Sequence, residues 1–173
     1  MTKVDISKSW AYTEFITPKE QNVLLQFANS VRNLLKGNGP GRYFQDHIEQ
    51  KYSLPQEYKD VKQRIIDTEK LKDFIFDPVF GDFISFNETN GAIHEHKDSN
   101  ERGFIHTRYN LLLSVPNSGG NPIYDGEVIN VEERMLWRCE AGLYNHASLP
   151  VIGSKPRINI SFGFQMKKIP KPA

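Results

Sequence analysis

The chain has 173 residues, enough for one domain with a real core. At 38% hydrophobic and 25% charged residues it reads as a globular chain rather than a disordered one. A net charge of +1 gives no global pull toward nucleic acid or an acidic membrane surface, which argues against a nucleic-acid partner, and no run of about 18 apolar residues marks a membrane span. The single cysteine, Cys139, excludes an internal disulfide and fits a reducing compartment. Residues 1–20 lack the apolar core of a leader, so a cytoplasmic protein is expected.

The first predicted element is a helix over Thr17–Leu35. Thr17-Pro18-Lys19-Glu20 combines a cap, a first-turn proline and the glutamate of a capping box. Behind it Val23, Leu24, Phe27, Val31 and Leu34 recur at helical spacing. Gly37-Asn38-Gly39-Pro40-Gly41 breaks the chain, and a second, more polar helix is predicted from Pro55 to Lys72, with Tyr58, Val61, Ile65 and Ile66 as its apolar side. His47 lies in this half and is read as structural or exposed.

From Phe74 the texture turns to β. Eight short strands are predicted near Phe83–Phe86, Ala92–His96, His106–Val115, Pro122–Tyr124, Glu127–Val131, Arg134–Arg138, Tyr144–Ser148 and Arg157–Gln165, with turns at Ser118–Asn121, Asp125-Gly126 and Gly153-Ser154. The expected fold is mainly β with N-terminal helices: a double-stranded β-helix, or jelly roll, with helices packed on one sheet. The expected division is a helical support region at 1–73, a jelly-roll core at 74–166 and a solvated tail at 167–173, all in a single domain.

The densest group of metal-capable side chains is Ile93-His94-Glu95-His96-Lys97-Asp98. On an extended segment His96 and Asp98 point the same way, so both can reach one ion. One imidazole and one carboxylate make an edge of a two-His-one-carboxylate facial triad, which leaves three positions open. Alone, His-x-Asp is a weak signal and fits a surface pair as well. The far end of the chain strengthens it. His146 precedes Arg157 by eleven residues across a turn containing glycine and proline, so two adjacent strands can place a histidine near a metal and a guanidinium deeper in the barrel. A buried arginine needs an anion, and its planar fork suits a carboxylate; a protein carboxylate such as Asp125 or Glu127 is the alternative partner.

His-x-Asp, an aliphatic strand (Leu111-Leu112-Leu113), Gly119-Gly120, and a distal histidine followed by an arginine in an apolar strand resemble the Fe(II)/2-oxoglutarate oxygenase superfamily. The likeness spans about Phe83 to Phe164 and is greatest to the small prolyl-hydroxylase-like enzymes. It implies Fe(II) on His96, Asp98 and His146, with 2-oxoglutarate as co-substrate, its distal carboxylate on Arg157. It also implies O₂ consumption and hydroxylation of a C–H bond, with succinate and CO₂ released. The implied substrate is a prolyl residue of a protein or peptide, with a small molecule as the alternative. Where such enzymes often carry a small hydroxyl residue two places after the arginine, this chain has Asn159, with Ser161 further along the same face. Tyr109 is a candidate hydroxyl donor to the co-substrate. Phe86 stands where a tyrosine is common and is assigned to the pocket wall. The loops at 87–92 and 99–106 are expected to shape the entrance.

A rival reading starts from His94-x-His96 followed by Glu101, which resembles the first metal motif of the cupins; Arg108 then stands where a glycine is expected, and Asp98 and Arg157 are left without a role. In the first reading His94 is a rim or outer residue, His106 is a surface residue, Cys139 is a packed small side chain, and Trp137 is core, with a pocket-lining role open for it and for Tyr144.

Overall fold

The computed structural model describes residues 1–6 and 8–168. Strands β1 (Thr2–Ile6) and β2 (Ser9–Thr13) precede helix α1 (Pro18–Val31), which runs into a 3-10 turn at Arg32–Leu34. A small hairpin follows, β3 (Lys36–Gly37) and β4 (Arg42–Gln45), then a single turn α2 (Ile48–Lys51) and helix α3 (Gln56–Glu69). The remainder is β: β5 (Phe74–Phe76), β6 (Phe83–Asn87), β7 (Ile93–His96), β8 (Phe104–Ser114), β9 (Ser118–Gly119), β10 (Pro122–Tyr124), β11 (Glu127–Val128), β12 (Leu136–Cys139), β13 (His146–Ser148), β14 (Val151–Ile152) and β15 (Arg157–Lys167).

Helix α1 starts where the sequence says. Thr17 caps it, its side chain accepting from the Glu20 amide at 3.2 Å while the Glu20 carboxylate accepts from the Thr17 amide at 2.7 Å. Its apolar stripe, Leu24, Ala28 and Val31, is buried against the sheet and α3. Helix α3 ends at Glu69, with Lys70 in the left-handed conformation (φ 51°). Glu69 then ties the helix to the sheet by accepting from Tyr12, Trp10 and Tyr109.

Nine strands form the major sheet in the order β1-β2-β12-β8-β15-β6-β4-β3, with β5 also on β15. A minor sheet runs β11-β10-β13-β7, and β14 pairs with β9. The two large sheets face each other and the helices cover the outer face of the major one, as the strand pattern predicted. All eight expected strands exist. The helical support region differs from expectation, because residues 1–73 also supply four strands, two at each edge of the major sheet. The expected tail splits: Lys167 ends β15, and Ile169–Ala173 lie outside the described residues.

Period-two alternation divides the major sheet into two chemistries. On β15, Ile158, Ile160, Phe162 and Phe164 enter the helix-side core, while Arg157, Asn159, Ser161 and Gln165 face the minor sheet. On β8, Tyr109, Leu111 and Leu113 go to the helices, while His106, Arg108, Asn110 and Leu112 go inward.

Candidate metal centre and its cavity

Strands β7 and β13 pair so that His96 lies opposite His146 across the ladder, and the two rings stand 4.2 Å apart. Asp98 lies just past the end of β7, with its amide donating to the Ala141 carbonyl at 2.9 Å. One ligand atom from each of His96, Asp98 and His146 lies within 4.8 Å of the other two. From Asp98 Oδ1, His96 Nε2 is 3.5 Å away and His146 Nε2 is 3.9 Å. Donors each about 2.1 Å from one ion are at most about 4.2 Å apart, so both distances fit a shared divalent ion. Each ring's other nitrogen faces a backbone carbonyl, His96 Nδ1 that of His94 at 2.7 Å and His146 Nδ1 that of Tyr144 at 3.4 Å. Donation there leaves both Nε2 lone pairs facing Asp98, which is how outer partners orient metal-binding imidazoles.

The electrostatics match. Burial works against the Asp98 charge, but His96, His106, His146 and Arg108 outweigh it and hold the carboxyl down to about 2. Asp98 raises the pKa of His96, whereas burial lowers that of His146. Behind Asp98, its Oδ2 meets His106 Nδ1 at 3.4 Å and Arg108 Nε at 3.7 Å, and Arg108 donates to the buried Asp77 at 2.5 Å. His106 is therefore not a surface residue. It is 1% exposed, and burial, followed by the Arg108 charge, pushes its imidazole down to about 4. The signal was in the strand: His106-x-Arg108-x-Asn110 puts three polar side chains on one face of an apolar segment.

A cavity of about 250 Å³ opens beside the three candidate ligands. Arg157 lines it, 4% exposed. Its guanidinium donates to the Gly120 carbonyl at 2.5 Å, its Nε has no partner, and among the described residues no carboxylate pairs with it. Burial and the neighbouring Arg42 hold it down to about 10. Asp125 pairs with Lys8 instead. Asn159 lines the cavity and accepts from the Ser85 hydroxyl at 2.8 Å. Trp137 and Cys139 also line it, so the tryptophan is wall rather than pure core; burial drives the thiol's pKa up.

Three expectations need correction. Tyr109 is on the helix side of β8, 1% exposed, and its hydroxyl donates to Glu69 at 3.1 Å, so it cannot reach the cavity. Phe86 shares that side by the alternation of β6, and Phe83 and Ser85 form the wall in its place. The cavity wall takes no residue from 87–92 or 99–106; Asn38, Arg42 and Phe44 of the β3–β4 hairpin and Phe80 stand there. His94 is exposed and outside the three-residue cluster. The hairpin is seated by two glycines meeting back to back. A Cβ on Gly41 (φ 61°) would lie 2.4 Å from the Thr89 carbonyl oxygen and 2.8 Å from the Gly91 amide, and one on Gly91 would lie 2.4 Å from the Gly41 oxygen.

Neither a family model nor a curated protein matches the sequence. Solved structures match the fold. HygX from Streptomyces hygroscopicus, with nickel, 2-oxoglutarate and hygromycin B bound, has a TM-score of 0.69 over 91% of this chain and 82% of its own, at 7% identity. A Pseudomonas putida prolyl-4-hydroxylase has 0.63 over 91% of both chains, at 15% identity. The chain shares the fold of these enzymes. SnoN, a non-heme alpha-ketoglutarate-dependent epimerase from nogalamycin biosynthesis, shares it too, with a TM-score of 0.69 at 10% identity over 92% of this chain and 78% of that one. Among the described residues no helix is long and apolar enough to cross a membrane.

Proposed function

We propose that this protein is an Fe(II)- and 2-oxoglutarate-dependent dioxygenase, with His96, Asp98 and His146 holding the iron and Arg157 holding the distal carboxylate of 2-oxoglutarate. The observation that carries it is a buried arginine with no carboxylate partner, in one cavity with a converged His-Asp-His set. An unpaired guanidinium away from water is costly, and a dicarboxylate reaching from the metal relieves that cost. The iron, with 2-oxoglutarate and O₂, supplies the oxidising power for hydroxylating a C–H bond, releasing succinate and CO₂. The chain's own residues supply geometry. The β7–β13 ladder fixes both imidazoles, the His94 and Tyr144 carbonyls fix their tautomers, and His106 and Arg108 brace the Asp98 oxygen turned away from the other two ligands. Phe44, Phe83 and Trp137 keep the wall dry, and Asn159 with Ser85 gives Arg157 a polar neighbour.

Two substrate readings stand. A prolyl residue in a protein or peptide is supported by the fold likeness to the prolyl-4-hydroxylase. A small molecule is the other reading. The likeness to HygX and SnoN supports it.

Calorimetry on the Mn(II)-loaded protein tests the reading. Asp98→Ala is expected to lose Mn(II), while Arg157→Lys is expected to keep it and to weaken 2-oxoglutarate by about 30-fold or more. Equal 2-oxoglutarate affinity in wild type and Arg157→Lys, or no binding to either, would overturn it.

A further inference from the structure

One charged group in the cavity has no work in this scheme. The charged side chains and histidines lining the cavity are Arg42, His96, Asp98, Arg108, His146 and Arg157. On the dioxygenase reading, a divalent ion and Arg157 balance Asp98 and the two carboxylates of 2-oxoglutarate. Arg108 is balanced by Asp77 at 2.5 Å. Arg42 is left over. Among the described residues no carboxylate pairs with it, and its buried Nε has no partner. Burial lowers its pKa, and no acidic neighbour offsets that.

Its position is defined. Arg42 on β4 is in register with Asn87 on β6, and Asn87 with Arg157 on β15, so the three stand in one cross-strand row. Asn87 is fully buried, and both its amide atoms lack partners. Arg42, Arg157 and His96 line the same cavity, so the guanidinium shares its space with the deep arginine and the metal-side histidine. It is less buried than Arg157, and the exposed Asn38 of the same hairpin lines the cavity beside it.

We propose that Arg42 anchors the substrate, taking a carboxylate on it through the guanidinium with Asn38 beside it, so that the substrate class is a carboxylate-bearing molecule. This rests on the dioxygenase reading, because it is 2-oxoglutarate that uses up Arg157. One negative charge is missing, which a carboxylate supplies and a phosphate exceeds. A bidentate guanidinium–carboxylate pair also fixes orientation, holding the rest of the substrate toward Phe44, Phe83 and the metal side.

The test uses the full chain loaded with Zn(II), which is diamagnetic, and 2-oxoglutarate. N-acetylglycine, its neutral analogue N-acetylglycinamide and inorganic phosphate are titrated in turn, read by arginine Nε–Hε NMR signals and by calorimetry. The expected result is saturable binding of N-acetylglycine that moves the Nε–Hε signal missing from Arg42→Gln. Arg42→Gln should weaken that binding about tenfold, Arg42→Lys should restore part of it, and the neutral analogue should bind at least as weakly as N-acetylglycine binds Arg42→Gln. Zn(II) and 2-oxoglutarate affinities in Arg42→Gln should stay within about threefold of wild type, which also establishes that the variant folds. Equal binding of acid and amide, equal binding by wild type and Arg42→Gln, preference for phosphate, or no saturable binding would overturn the proposal. So would a loss of 2-oxoglutarate affinity in Arg42→Gln as large as in Arg157→Lys, which would make Arg42 part of the co-substrate's own clamp. Failure of wild type to bind 2-oxoglutarate would bring down both readings, and it is visible before any probe is added.

Discussion

The two faces of the major sheet are built by the same strands and differ in one respect above all. On the helix side the buried polar heads are satisfied: Tyr12 and Tyr109 donate to Glu69, and Tyr58 donates to Asp82. On the cavity side they are satisfied only in part: Ser85 donates to Asn159 and Arg108 to Asp77, but other atoms are left over. The seven buried side-chain atoms without a partner among the described residues belong to Arg42, Asn87, His106, Arg108, Arg157 and Ser161; Arg42, Arg108 and Arg157 line the cavity, and strand alternation puts the other three on the same inward face. Buried polar groups are normally paired, so a face that gathers these unpaired atoms around a cavity suits a polar ligand. One side of the sheet supplies stability and the other supplies unfinished chemistry.

That division is open to attack, most strongly through the helix side. Phe162 is fully buried there, its ring 5.3 Å from that of Tyr58 and tilted 31° to it. Phe162→Ala is expected to cost about 3–5 kcal/mol in urea unfolding while leaving Mn(II) affinity in the folded protein unchanged. A loss under about 1 kcal/mol would mean the helix layer is not what holds the sheet. On the cavity side the sign reverses. Arg157→Met removes an unpaired buried cation, so the ligand-free protein should gain about 1–2 kcal/mol, or roughly 2–8 °C in Tm, even as 2-oxoglutarate binding is lost. A destabilised Arg157→Met would show that Gly120 alone satisfies the guanidinium. The smallest effect sharpens the boundary between the faces. Tyr109→Phe should cost about 1 kcal/mol through the lost Glu69 contact and leave 2-oxoglutarate affinity unchanged. A tenfold fall in that affinity would return Tyr109 to the pocket.

Local pattern carried the β half and the three candidate ligands. His96 and Asp98 are two apart on an extended segment, and the Arg157 strand alternates cleanly. What sequence did not reveal depends on pairing between distant segments. Strands β1 to β4 are short, and their edge places come from β12 and β6, far along the chain. The Gly37–Gly41 stretch reads as a chain break, yet it is the tip of a hairpin that brings Arg42 to the cavity. Tyr109 and Phe86 depart from expectation for a simpler reason: their polar neighbours Arg108, Asn110 and Ser85 are the residues that look inward, and a one-residue step reverses the face.

The back-to-back seat of Gly41 and Gly91 has an evolutionary consequence. Each backbone occupies the space where the other would carry a side chain, so neither position can vary alone and the pair cannot drift together. Gly91 lies two residues before the strand that ends in His96, and Gly41 lies next to Arg42. Arg42 or its neighbours can therefore be substituted while the offset between the hairpin and the metal-side strand is inherited intact.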